Sequence, residues 1–152
     1  MHKKLLVFVA VLTFVLSTVS VGMTQDKEAN KAVSDKVTSM VAAAKKAIKT
    51  VPADAVKKAI DSKEKAIYLD VRDGGEFAAG HLPGAKNISR GTLEFKVAKE
   101  IPDTNTKIYV YCKTMGRSAL ATKTLNDLGY KNAVLMNAQY EDWVKAGYPV
   151  ER

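Results

Sequence analysis

The sequence predicts an α/β fold: a small open, largely parallel sheet flanked by helices on both faces, preceded by an N-terminal signal segment and an amphipathic helix. Three observations predict it. From Val51 onward, short β-branched or aromatic runs alternate with helical patterns, an order that gives parallel strands joined by crossover helices. The chain has 152 residues, 47% hydrophobic and 26% charged, which suits one globular domain with a core and something extra. Finally, the single cysteine follows a strand-like run and precedes a helical one, the carboxyl-end position at which open α/β sheets bind ligands.

Residues 1–22 read as a signal peptide. His2, Lys3 and Lys4 form a positive start, Leu5 to Leu16 is apolar apart from Thr13, and Ser17 to Gly22 is small and mildly polar, suiting cleavage after Ser20 or Gly22. The expectation is an exported, periplasmic protein with no stable membrane span after cleavage. An uncleaved leader holding the domain outside the membrane is the alternative, because Leu5 to Met23 approaches the ~20 residues that span a bilayer. Residues 23–50 read as a helical extension. Over Asp26 to Lys49, the residues Val33, Val37, Met40, Val41, Ala44 and Ile48 form one apolar stripe of helical period.

The domain is expected over 51–152. Pro52 to Ile60 is a short helix with proline in its first turn. Ala66 to Val71 is a strand, Gly75 to Ala79 a helical turn after Asp73, and Ala85 to Ile88 a brief strand after Pro83-Gly84. A helix over Thr92 to Glu100 stops before Pro102. Ile108 to Tyr111 is a strand, Ser118 to Leu128 a helix ended by Gly129, and Ala133 to Met136 a strand. A last helix, Tyr140 to Ala146, is stopped by Gly147 and Pro149.

Charge and residue counts exclude several functions. The net charge is +8, but the lysines are dispersed and no arginine-rich or aromatic-interleaved stretch suggests a nucleic-acid partner; small anions are the expected beneficiaries. One cysteine makes neither an intramolecular disulfide nor a zinc knuckle, and His81 is the only histidine outside the leader. No metal site is therefore expected.

The chemistry concentrates in Val110-Tyr111-Cys112-Lys113-Thr114-Met115-Gly116-Arg117-Ser118. Backbone amides in a tight loop, together with the positive end of the following helix, stabilise a negative sulfur, and the thiolate is the nucleophilic form of cysteine. Lys113 and Arg117 add fixed positive charge. The alternative is that Cys112 merely ends a buried strand as a small hydrophobe.

This stretch resembles the active-site loop of the rhodanese (sulfurtransferase) family, usually Cys-x-x-Gly-x-Arg-Ser. Here the glycine is Gly116, one place late, and Met115 occupies its usual position, which is strained if that position requires positive φ. Leu69-Asp70-Val71-Arg72, Glu76-Phe77 and Gly80-His81-Leu82-Pro83-Gly84-Ala85-Lys86-Asn87-Ile88 resemble the family's earlier signature. Leu128-Gly129-Tyr130 through Trp143 and Gly147-Tyr148-Pro149-Val150 resemble its ending. Asn137-Ala138 stands where a glycine pair is common. Cysteine phosphatases place five residues between cysteine and arginine; only Lys113, Thr114, Met115 and Gly116 intervene here.

The resemblance implies a two-step sulfur transfer. Cys112 would take the outer sulfur of a donor such as thiosulfate or polysulfide, and cyanide or a thiol acceptor would remove it, with a covalent cysteine persulfide and no cofactor. The amides from Lys113 to Ser118, including those of Thr114, Met115, Gly116 and Arg117, would hold the persulfide. Arg117, and secondarily Lys113, would assist the donor's anionic end or the loop's shape. Asp70, Arg72 and Glu76 are read as an ion-pair network supporting the loop rather than as acid/base groups. His81 is expected to hydrogen-bond its own loop, Arg90 to be solvated, and Tyr140 and Trp143 to be core. A non-catalytic persulfide carrier is the alternative function, and a phosphatase or arsenate reductase on the same fold a third.

Overall fold

The structure, a computed structural model, describes residues 27–152. The leader expected over 1–22 lies outside the described residues. Contacts divide the chain into two units, one ending at Ser39 and the other running from Met40 to Arg152. In the first, residues 27–39 are helical and exposed, Val33 and Val37 included. Among the described residues no helix is long and apolar enough to cross a membrane.

The second unit opens with helical residues 40–47 (α1). Five strands follow: β1 (Thr50–Val51), β2 (Ile67–Asp70), β3 (Lys86–Asn87), β4 (Ile108–Tyr111) and β5 (Ala133–Met136). They form one sheet in the order β1-β5-β4-β2-β3, and every pairing is parallel. The helices are α2 (Ala53–Asp61), α3 (Gly74–Ala78), α4 (Leu93–Glu100), α5 (Gly116–Asp127) and α6 (Tyr140–Lys145), with a 3-10 turn at Arg90–Thr92.

Both sheet faces are covered, as an all-parallel sheet requires. Alternation along each strand divides the core. Tyr68, Tyr109, Tyr111, Val134 and Met136 face Val56 and Ala59 of α2 and Trp143 of α6. Leu69, Val110 and Cys112 face Leu93 and Val97 of α4 and Ala121 and Leu125 of α5. Leu135 also points to that second side, where it packs with Ala119 of α5 and Ala44 of α1, backed by Val41 and Ile48. Of the expected amphipathic stripe, Ala44 is thus core and Val41 and Ile48 pack against it half-buried, whereas Met40 is exposed.

The alternating plan appears as expected, with two differences. Helix α5 begins at Gly116, two residues earlier than Ser118, because the turn at Met115 already aligns the chain for helix. The edge strand β1 was not foreseen: two residues carry no periodicity, and the pairing Thr50 to Leu135 and Val51 to Met136 is long-range.

Chain order locates a crevice. From β2 the chain moves outward to β3, returns to β4 on the other side of β2, and continues to β5. The carboxyl ends of β2 and β4 therefore flank the topological switch point, where open α/β sheets bind ligands. Asp70-Val71-Arg72 leaves one of those ends and Cys112 the other.

Candidate active site

Cys112 directly follows β4 and is 1% exposed. Its sulfur accepts a hydrogen bond from the Ser118 backbone amide at 3.3 Å. The Ser118 hydroxyl lies 3.2 Å from the sulfur and 3.3 Å from the Met115 carbonyl oxygen. With a thiol, the S–H donates to Ser118 while that hydroxyl donates to Met115; with a thiolate, the hydroxyl turns to donate to sulfur. No backbone carbonyl among the described residues accepts from the amides of Lys113, Thr114, Met115, Gly116 or Arg117. Five free donors beside a buried sulfur, at the start of a 12-residue helix, form a place for an anion.

The loop closes through Met115, whose φ of 68° and ψ of −10° are left-handed. A side chain there costs about 1–2 kcal/mol relative to right-handed backbone. Next to it, a Cβ placed on Gly116 would lie 4.0 Å from Cγ2 of Val41, so α1 borders the loop's exit into α5.

The charged residues sort into two pairs rather than the single network expected. Asp70 and Arg72, 0% and 3% exposed, pair inside the protein: the guanidinium Nε donates to both carboxylate oxygens at 3.0 and 2.9 Å, and a second nitrogen to Oδ2 at 2.6 Å. Arg72 also donates to the Gly80 carbonyl at 2.7 Å and lies 4.0 Å from the Tyr140 ring centre. Burial lowers the Arg72 pKa, but hydrogen bonds and charge from Asp70 outweigh it and leave it raised. A buried pair satisfied in this way orients the β2 exit at modest net stability, while losing one partner strands a charge.

Glu76 is not part of that pair. Both its oxygens accept from Arg117, at 2.6 and 3.0 Å, and Asp73 lies 3.3 Å from the same guanidinium. The Arg117 hydrogen bonds hold the Glu76 carboxyl at about 2, well below its usual 4.5, and Glu76 raises Arg117 in turn. Arg117 is thereby tethered to Glu76 of α3. Lys113 and Thr114 are exposed. Among the described residues Lys113 has no carboxylate partner.

His81 does bond its own loop: Nδ1 lies 3.0 Å from the Phe77 carbonyl, and the ring stacks on Phe77 at 3.8 Å. Arg90 is not simply solvated; it pairs with Glu94 at 2.8 Å and reaches Thr124 at 3.3 Å. Trp143 is core, 0% exposed. Tyr140 meets its expectation in part: it packs against the core cluster of Tyr111 and Trp143, yet it is half-buried and lines an open cleft of about 460 Å³ with Arg72, Glu76, Gly80, Lys113 and Lys145. An aromatic residue in a last helix reads as core, and only the fold reveals that this one also carries the Arg72 guanidinium on its ring. Gly80 is forced by this packing, since a Cβ there would sit 2.9 Å from the Tyr140 hydroxyl. Among the described residues no group of three or more His, Cys, Asp or Glu side chains is placed to hold a metal ion.

The family model for the rhodanese-like domain matches residues 52–146. The chain belongs to the rhodanese-like domain family. A thiosulfate sulfurtransferase of Pseudomonas putida is 30% identical over 89 residues, covering 59% of this chain and 78% of that protein. A candidate sulfur carrier protein of Bacillus subtilis is 34% identical over 90 residues, 59% of this chain but 48% of its own length. The chain thus spans about half of that relative. Among solved structures, a polysulfide-sulfur transferase homodimer of Wolinella succinogenes is 30% identical with a TM-score of 0.66, covering 78% of this chain and 88% of that one. Rhodanese-like sulfurtransferase relatives therefore share the fold described above.

Proposed function

We propose that this rhodanese-like domain is a sulfurtransferase that moves sulfane sulfur from thiosulfate or polysulfide to cyanide or a thiol, through a persulfide on Cys112. The observation that carries the reading is the Cys112 sulfur at the switch point, with the Ser118 amide on it and the amides of residues 113–117 free of backbone partners. The Cys112 thiolate attacks the outer sulfur of thiosulfate, the sulfur–sulfur bond breaks, and sulfite leaves with its electron pair. The persulfide anion then rests on the loop amides, as an oxyanion rests on preorganised donors. In the second step the acceptor attacks the outer sulfur, and the electron pair of that bond returns to Cys112. The leader makes an exported, periplasmic setting part of the proposal.

Intact mass after incubation with thiosulfate or polysulfide tests it. The expected result is a gain of one sulfur atom, absent in Cys112→Ser and discharged by cyanide or a thiol. A persulfide that forms but resists every small acceptor would favour a carrier role, the reading suggested by the name of the Bacillus relative. Absence of any adduct, with Cys112-dependent hydrolysis of an aryl phosphate, would overturn sulfur transfer in favour of phosphatase chemistry.

A further inference from the structure

We propose that the cleft beside the cysteine loop is an acceptor subsite for a small organic thiol bearing a carboxylate. The inference rests on the sulfurtransferase reading and specifies its second substrate. At about 460 Å³ the cleft falls within the range of about 300–1,000 Å³ typical of sites for drug-sized ligands, far more room than a thiosulfate or cyanide ion fills. Its position suits an acceptor. Lys113, the residue after Cys112, lines it, and the amide of Tyr140 donates to the Lys113 carbonyl at 3.2 Å, tying the cleft wall to the loop.

The lining specifies the ligand chemistry. Ala79, Val144 and the Tyr140 ring give an apolar surface for a short carbon chain. Two of the three charged groups besides Lys113 and Lys145 are already neutralised: Arg72 by Asp70 at 2.6 Å and Glu76 by Arg117 at 2.6 Å. Lys113 and Lys145 are exposed and, among the described residues, have no carboxylate within ion-pair distance. The third group, Glu141, sits one helical turn before Lys145 on α6 and provides a counter-charge for an ammonium. Two lysines available for a carboxylate and one glutamate available for an amine favour a monocarboxylate or zwitterionic thiol over a neutral one. In the transfer, the thiol and the Cys112 persulfide anion give an organic persulfide anion and the Cys112 thiol; the S–S bond at Cys112 breaks as the new one forms, and no electrons enter or leave.

The test compares kcat/KM, referred to acceptor thiolate concentration, for 3-mercaptopropionate, cysteine, cysteamine and 2-mercaptoethanol, with thiosulfate as donor. The expected preference for mercaptopropionate and cysteine over mercaptoethanol is about threefold to fivefold, the size of one solvent-exposed charge contact. That ratio should fall toward one in Lys145→Gln, invert in Lys145→Glu and survive in Lys145→Arg. Because each ratio is taken within one protein, a general loss of activity does not mimic the effect. Equal efficiency for all four thiols, or ratios unmoved by Lys145→Glu, overturns the subsite while the persulfide and its discharge by cyanide leave sulfur transfer standing. If no persulfide forms in the unsubstituted protein, it is the transfer reading that falls.

Discussion

At the scale of single residues, Met115 is where this chain departs most from its family pattern. Its left-handed φ of 68° costs a side chain about 1–2 kcal/mol, while glycine there would lose about 0.5–1 kcal/mol of extra unfolded-state entropy. Met115→Gly should therefore be as stable as the unsubstituted protein or up to about 1.5 kcal/mol more stable. Met115→Ile, β-branched at positive φ, should lose about 1–3 kcal/mol. Urea unfolding midpoints decide it, and a destabilised glycine variant would mean that Met115 side-chain packing outweighs the backbone strain. The residue-level signal of the sequence was sharpest here: a cysteine loop with its glycine one place late implies strain at Met115. It was weakest for Tyr140 and Glu76, whose partners Arg72 and Arg117 lie 68 and 41 positions away in sequence.

At the scale of elements, α3 and the start of α5 are joined by Glu76 and Arg117. The fold lowers the Glu76 carboxyl from its usual 4.5 to about 2, so it favours the ionised form. This contribution to stability is complete above about 4.5 and disappears as pH falls toward 2. Denaturant midpoints measured across that window should decline less steeply for Glu76→Gln than for the unsubstituted protein; parallel curves would show that the pair does not couple to folding. The packing of α1 belongs to the same scale. Periodicity revealed its apolar stripe, yet not that Ala44 would be 5% exposed against Ala119 and Leu135 while Met40 stayed at 52%. A stripe specifies a face of a helix; only the partner surface determines how much of that face is covered.

At the scale of the whole domain, one side of the sheet is lined by tyrosines. Burial, followed by the hydrogen bond to Glu64, pushes Tyr109 up to about 12, and burial raises Tyr68 and Tyr111 as well. The fold thus favours neutral phenols. For Tyr109 this contribution to stability is full below about 10 and is lost as pH rises toward 12. Phenolate absorbance should accordingly appear late and together with the loss of circular dichroism. Early, independent ionisation of all six tyrosines with the fold intact would contradict that burial.

The sequence by itself determined the fold class, the order of its main strands and helices, and the loop that carries Cys112, because each rests on local periodicity, turn residues and a contiguous motif. Tertiary structure decided what is built from distant residues: the β1 edge pairing, the separation of Asp70–Arg72 from Glu76–Arg117, and the cleft that brings Lys113, Tyr140 and Lys145 together. The physical reason is range. Backbone preference and hydrophobic alternation act over a few residues, whereas an ion pair or a cleft wall depends on which strands the crossovers place side by side.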